Sequence, residues 1–152
     1  MFGPTFNLSD LNGSNGFAIN GIAANDRSGL SVSSAGDVNG DGIDDLIIGA
    51  PGADLNGINA AGQSYVVFGS NSGFAASFNL SELNGSNGFA INGIAAVDRS
   101  GGSVSNAGDV NGDGIDDLII GATGASPNGI SYAGQSYVVF GKIGRASCRE
   151  RV

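Results

Sequence analysis

Apolar residues along this chain come in short runs of two to five, broken by glycine, asparagine and aspartate. No stretch repeats apolar positions at the three-to-four spacing of an amphipathic helix. The clearest run is QSYVVFG at Gln63–Gly69, β-branched and aromatic, which predicts a strand. DLIIG at Asp45–Gly49 is continuously apolar after its first residue and predicts a strand buried on both faces. Ser28–Ala35 (SGLSVSSA) and Phe17–Ile19 read as further strands, the former rich in small residues that allow close packing. Phe6–Leu11 is open between a short strand and a helical turn. Asn12–Gly16 (NGSNG) and Asn20–Gly21 are turns, because Asn-Gly pairs tolerate positive φ. Asp37–Asp45 reads as a loop and Pro51–Ala61 as a turn-rich connection.

The whole pattern then returns. FNLSDLNGSNGFAINGIAANDRSG at Phe6–Gly29 recurs almost letter for letter at Phe78–Gly101, and AGQSYVVFG at Ala61–Gly69 recurs at Ala133–Gly141. The period is 72 residues without a gap. About four strands per repeat, joined by short turns, predict an all-β chain of two tandem four-stranded β-propeller blades. The units are 1–77 and 78–141. A parallel β-helix requires far shorter repeats, and a β-sandwich does not explain near-identical units of this length. A closed propeller takes roughly four to eight blades, so two blades are expected to be part of a larger ring, or an assembly of copies. An open sheet edge would invite such association.

Composition sharpens this reading. Twenty-eight glycines disfavour helix. The formal charge is −8, and residues 1–141 alone carry 13 acids against two arginines, a net of −11. That balance excludes a nucleic-acid or anionic-membrane partner, which requires a basic patch, and points to a cation. No apolar run reaches transmembrane length, and Met1–Asp10 lacks the pattern of a signal peptide. Histidine is absent and Cys148 is the single cysteine, so there is no disulfide framework and no Cys-based metal site. The serines have no base to activate them, and the adjacent Asp44 and Asp45 diverge, so the chain is not expected to be an enzyme. After Gly141 the composition turns basic. Residues 142–152 (KIGRASCRERV) read as a non-native tail, because the back-translation of IGRASCRERV resembles a sequencing adapter.

The chemistry is concentrated in DVNGDGIDDLIIGA, present at Asp37–Ala50 and again at Asp109–Ala122. Asp37, Asn39 and Asp41 place oxygen-bearing side chains on alternate residues. Gly42 permits a sharp turn, Ile43 offers a backbone carbonyl, and Asp45 follows two residues later. Calcium takes six to eight oxygens at roughly 2.3–2.6 Å and neutralises the crowded carboxylates. An EF-hand would close with glutamate at the twelfth position, where Ile48 and Ile120 stand here. The closing ligands are therefore expected at Asp45 and Asp117. Asp44 and Asp116 should face away and bond backbone or solvent. Arg27 and Arg99, in the two DRSG segments, are expected to pair with Asp26 and Asp98. Tyr65, Tyr137, Phe17, Phe68, Phe89 and Phe140 are expected in the core or between blades.

These motifs resemble FG-GAP repeats, the blades of integrin α-subunit-type β-propellers. VVFG at Val66–Gly69 and Val138–Gly141 supplies the FG element. IIGAP at Ile47–Pro51 supplies the GAP element, with IIGAT at Ile119–Thr123 as its variant. The resemblance implies a propeller, seven-bladed when complete. It also implies two calcium sites, at Asp37, Asn39, Asp41, the Ile43 carbonyl and Asp45, and at Asp109, Asn111, Asp113, the Ile115 carbonyl and Asp117. The longer repeat looks like bacterial surface and secreted relatives. A non-catalytic adhesion or interaction module follows, extracellular or at the cell surface, with structural calcium and a protein or glycan ligand. The alternative is an accessory module of a larger secreted enzyme or toxin-like protein.

Overall fold

The computed structural model describes residues 3–143; residues 144–152 of the basic tail lie outside the described residues. Among the described residues nine strands follow in chain order: β1 (Ala18–Asn20), β2 (Ser31–Gly36), β3 (Asp45–Ala50), β4 (Gln63–Val67), β5 (Ser77–Asn79), β6 (Gly88–Asn92), β7 (Ser100–Gly108), β8 (Asp117–Ala122) and β9 (Gln135–Val139). Short 3-10 turns occupy the LSD and LSE part of the segment, at Leu8–Asp10 and Leu80–Glu82, while Phe78 and Asn79 of the second copy belong to β5, so both of the readings left open for FNLSDL are met in part. Each turn is closed by backbone alone, the Leu11 N–H donating to Leu8 O and the Leu83 N–H to Leu80 O, both at 3.3 Å. No described helix is long and apolar enough to cross a membrane.

The chain is all-β. β2, β3, β4 and β6 form a four-stranded antiparallel sheet in that order, and β7, β8 and β9 form a second sheet. Register repeats with the sequence: Ile47 faces Val66 across β3 and β4, as Ile119 faces Val138 across β8 and β9. β1 and β5 pair in parallel beside the first sheet.

The first sheet borrows from the second repeat. Its outer strand β6 lies beyond residue 78, so a sheet is offset from the sequence unit by one strand. The second sheet accordingly shows three strands among the described residues, where four were expected. By the same offset its fourth strand would come from a further repeat.

The core lies between and beside the sheets. Ile47 and Val66 from the first sheet meet Val104, Leu118 and Ile120 from the second, with Phe68, Phe89 and Ile91 at the margin. On the other face of the first sheet, Ile48, Tyr65 and Val67 pack with Leu80, covered by Ile19, Phe74 and Phe78. Each fully buried aliphatic side chain contributes roughly 1.5–3 kcal/mol relative to an exposed one. The expected two-sided burial of DLIIG holds where a second layer exists and fails elsewhere: Leu46 and Ile119 are 38% and 37% exposed.

Candidate functional site

Each acidic loop connects the first two strands of its sheet. Asp37 follows β2 directly, and its two carboxylate oxygens accept the N–H groups of Asp41 at 3.0 Å and Gly42 at 2.7 Å. Asn39 Oδ1 also accepts from the Asp41 N–H, at 3.4 Å, and Asp41 Oδ1 accepts from the Ile43 N–H, at 2.9 Å. Short side chains on alternate positions thus curl the backbone around themselves. Gly40 and Gly42 sit at φ of 74° and 85°, which the curl requires and which suits glycine.

The second copy reproduces this arrangement. Asp109 accepts from Asp113 at 3.0 Å and from Gly114 at 2.7 Å; Asp113 accepts from Ile115 at 2.9 Å; Asn111 accepts from Asp113 at 3.3 Å. The Asn39 amide donates to Asp41 Oδ2 at 3.3 Å, and Asn111 to Asp113 at 3.2 Å. The Gly114 N–H foremost holds the Asp109 carboxyl below its ordinary range, other backbone donors adding to it.

Asp45 behaves differently. It is 1% exposed, and its oxygens accept the Val38 N–H and the Gly69 N–H, both at 2.9 Å. Asp117, fully buried, takes the Val110 N–H at 2.7 Å and the Gly141 N–H at 2.9 Å. One carboxylate therefore ties the start of the loop to the FG corner at the end of the third strand. Burial pushes the Asp45 carboxyl above its ordinary range; the Gly69 and Val38 donors oppose this, and the charges of Asp41 and Asp37 reinforce it.

Asp37, Asn39 and Asp41 are thus gathered in one loop, while Asp45 is turned onto backbone donors within electrostatic reach of Asp41 and Asp37. Ile43 and Ile115 end the curl, each through its N–H. Among the described residues no group of three or more acidic, histidine or cysteine side chains is drawn together as a metal cluster. Hydrogen bonds from the loop's own N–H groups hold the oxygens instead.

Other assignments come out unevenly. Asp116 accepts the Asp37 N–H at 3.0 Å, so the second repeat caps the first repeat's loop; Asp44 is exposed. No spacing rule in the sequence announces that contact. The ion pairs expected of Arg27 and Arg99 are not formed among the described residues. Asp26 and Asp98 instead accept the Ala23 and Ala95 N–H groups at 3.2 Å, and both arginines sit at positive φ, 59° and 58°. Local turn closure outcompetes an exposed ion pair because it costs less side-chain entropy. Tyr65 is buried as expected, its hydroxyl donating to Gln63 Oε1 at 2.8 Å. Gln63 Nε2 donates in turn to Asn92 Oδ1 across to β6 at 2.8 Å.

Comparison with known proteins agrees with this geometry. The chain is similar to phosphatidylinositol-glycan-specific phospholipase D from Bos taurus, 34% identical over 127 residues, 83% of this chain and 15% of that protein. The enzymes of the same name from Mus musculus and Homo sapiens match at 32% over 80% of the chain and 33% over 76%. The chain spans only about a seventh of these relatives, 13–15% of their length. The FG-GAP repeat model matches residues 28–67 and 100–139, just over half of the chain, the two matches spanning β2 to β4 and β7 to β9. The protein belongs to the FG-GAP repeat family.

Proposed function

We propose that this chain is a non-catalytic interaction module of β-propeller type, stabilised by calcium in each acidic loop and working outside the cell or at its surface on a protein or glycan ligand. One observation carries the reading: two identical loops each gather Asp, Asn and Asp oxygens at the same positions with nearly the same distances, next to a buried aspartate. The donor set is all oxygen, which suits a hard cation. Each carboxylate oxygen that accepts one N–H keeps a further lone pair. Asp37, Asn39, Asp41, the Ile43 carbonyl and Asp45 would hold one ion, and Asp109, Asn111, Asp113, the Ile115 carbonyl and Asp117 the other. Bound calcium would supply the positive charge that the crowded carboxylates lack. Chain flexibility in each exposed loop would fall, and binding would add to folding free energy.

Among the described residues one cleft bears on a catalytic alternative. The cleft of about 390 Å³ lined by Asp98, Ser126, Tyr132 and Tyr137 offers one carboxylate, already engaged by the Ala95 N–H at 3.2 Å. Its serine has no histidine to activate it, since the chain has none.

Calorimetry with calcium, with magnesium and with chelator tests the proposal. Affinity in the range of extracellular modules, roughly 10⁻⁴–10⁻³ M, is expected. Calcium at about 100 times its dissociation constant should add about 2.7 kcal/mol per site. Asp37→Ala combined with Asp109→Ala should abolish the shift. An unchanged midpoint with and without calcium would overturn the calcium assignment.

The similarity to three enzymes named phospholipase D favours a second reading, an accessory module within a larger secreted enzyme. Sequencing the coding region past both ends separates the two: a hydrolase domain in the same frame supports the second, and further repeats alone support the first.

A further inference from the structure

Asparagine followed by glycine occurs ten times in this chain. The pair is chemically labile: the glycine nitrogen can attack the asparagine Cγ, because no Cβ on the glycine blocks the approach. A folded chain permits the attack where the side-chain amide is unbonded, the glycine N–H has no acceptor and the backbone between them is free to turn. The ten pairs differ sharply in these respects.

Eight of them are held by their own side chains. In the two NGSNG turns, Asn12 and Asn84 each accept two N–H groups at 2.9 and 3.2 Å, and the following glycines donate to Gly16 O and Gly88 O at 2.9 Å. Asn15 and Asn87 donate to the Asp10 and Glu82 carbonyls at 2.9 and 3.0 Å. Asn92 accepts from Gln63 at 2.8 Å, and Gly93 donates to Gly62 O at 2.8 Å. Asn20 donates to Asn79 Oδ1 at 2.9 Å, and Gly21 is pressed against Ser28. Asn39 and Asn111 are held least, each exchanging bonds of 3.2–3.4 Å with Asp41 or Asp113.

Asn56 and Asn128 occupy equivalent places, between β3 and β4 and between β8 and β9. Both are exposed, and among the described residues neither side-chain amide has a partner. Asn56 and Gly57 form the tip of a tight turn, at φ of 52° and 82°, closed by Leu55 and Ile58 through bonds of 3.1 and 2.8 Å. Among the described residues the Gly57 N–H has no acceptor, and nothing lies within 4 Å of the place of its missing Cβ. Asn128 and Gly129 are held in the 3-10 turn Pro127–Gly129, where the proline fixes its own φ, so that turn opens less readily.

We propose that Asn56 is a site of spontaneous deamidation, the fastest in the folded chain, with Asn128 second. The Gly57 nitrogen gives its proton to water or hydroxide and bonds to Asn56 Cγ. The Cγ–Nδ2 bond breaks, and the amide nitrogen leaves as ammonia. The resulting succinimide takes up one water at either carbonyl and opens to aspartate or isoaspartate. No electrons change hands. Each event adds one negative charge to a chain already at −8.

Isoaspartate also inserts a methylene into the main chain of the turn. The same connection holds the second repeat: the Asn59, Ala60 and Ala61 carbonyls accept the Val97, Arg99 and Ser100 N–H groups at 2.9, 3.0 and 3.0 Å. Lengthening the backbone just ahead of these acceptors loosens the contact between the repeats.

Peptide mapping by mass spectrometry, after incubation of the full chain at neutral and mildly alkaline pH, tests the site. Asn56 should convert first, at least about tenfold faster than the pairs at Asn12, Asn15, Asn84, Asn87 and Asn92, whose hydrogen bonds must open beforehand. In concentrated urea the ten rates should converge, because the selectivity comes from the fold. The ranking needs no variant; Asn56→Gln should remove the fastest conversion and leave circular dichroism unchanged. Earlier conversion of any other pair in the native chain overturns the proposal, as does a ranking that urea leaves unchanged. Isoaspartyl chains, separated by anion exchange, should exchange the Val97, Arg99 and Ser100 amide hydrogens several-fold faster than unmodified chains. Equal exchange would refute the loosening of the repeats.

Discussion

Ile47 and Ile119 occupy the same place in the same six-residue strand, DLIIGA, yet one is fully buried and the other 37% exposed. Val66 and Val138 differ in the same way, at 0% and 48%. Leu46 and Leu118 reverse the order, at 38% and 1%. Each sheet has two apolar faces, and how far a face is buried depends on the layer that covers it: both faces of the first sheet hold buried clusters, with Leu46 at the margin of one, whereas the Ile119 and Val138 face of the second sheet is partly open.

Removing apolar atoms should separate the repeats most. Ile47→Ala should cost about 2–5 kcal/mol, as for a core truncation. Ile119→Ala should cost under about 1 kcal/mol in urea unfolding of the dilute monomer, because its cavity opens to solvent. Equal costs in dilute solution would erase the distinction between the repeats.

The buried aspartates should make the repeats alike. Asp45→Ala and Asp117→Ala each leave two N–H donors without their acceptor, and each should lose at least about 2 kcal/mol by chemical denaturation. A large difference between them would mean that the outer blade is not held by its FG corner.

A smaller contrast concerns the neighbouring acids. Asp116→Ala should cost about 1 kcal/mol, because it uncaps the Asp37 N–H. Asp44→Ala should be near neutral in the monomer, since Asp44 is exposed.

Alkaline titration gives the finest comparison. Burial, with the charge of Asp26 adding to it, pushes the Tyr65 phenol up to about 12. Tyr137 is raised by the same causes in the same order, burial and then Asp98. A folded-state value above the unfolded one means that the unfolded chain ionises first. The contribution of Tyr65 to stability should be intact below about pH 10 and fall as pH rises toward 12. Phenolate absorbance should show Tyr137 titrating before Tyr65, with Tyr65→Phe and Tyr137→Phe identifying each step.

Much of the blade was legible from local signals. The β-branched run of QSYVVFG became β4 and β9, and the acid-to-apolar switch in DLIIGA marked β3 and β8. The loop between them curls as its alternating oxygens suggested, because Asp and Asn bond backbone within five residues. FNLSDL was ambiguous because six residues with mixed polarity satisfy a turn and a strand equally. The role of Asp45 was half legible: its importance follows from spacing, but its grip on Gly69 spans 24 residues and depends on β3 lying beside β4.

The sequence by itself determined the repeat, the strand segments and the curl of each acidic loop, since these depend on groups a few residues apart and on side-chain periodicity. Only the tertiary structure decided that GFAIN of the second repeat completes the first sheet, that Asp116 caps the loop of the first repeat, and that one of two identical valines is buried. Those outcomes depend on which sheet lies behind which. Two copies of one sequence carry the same local energies, so only the arrangement of neighbours can make them different.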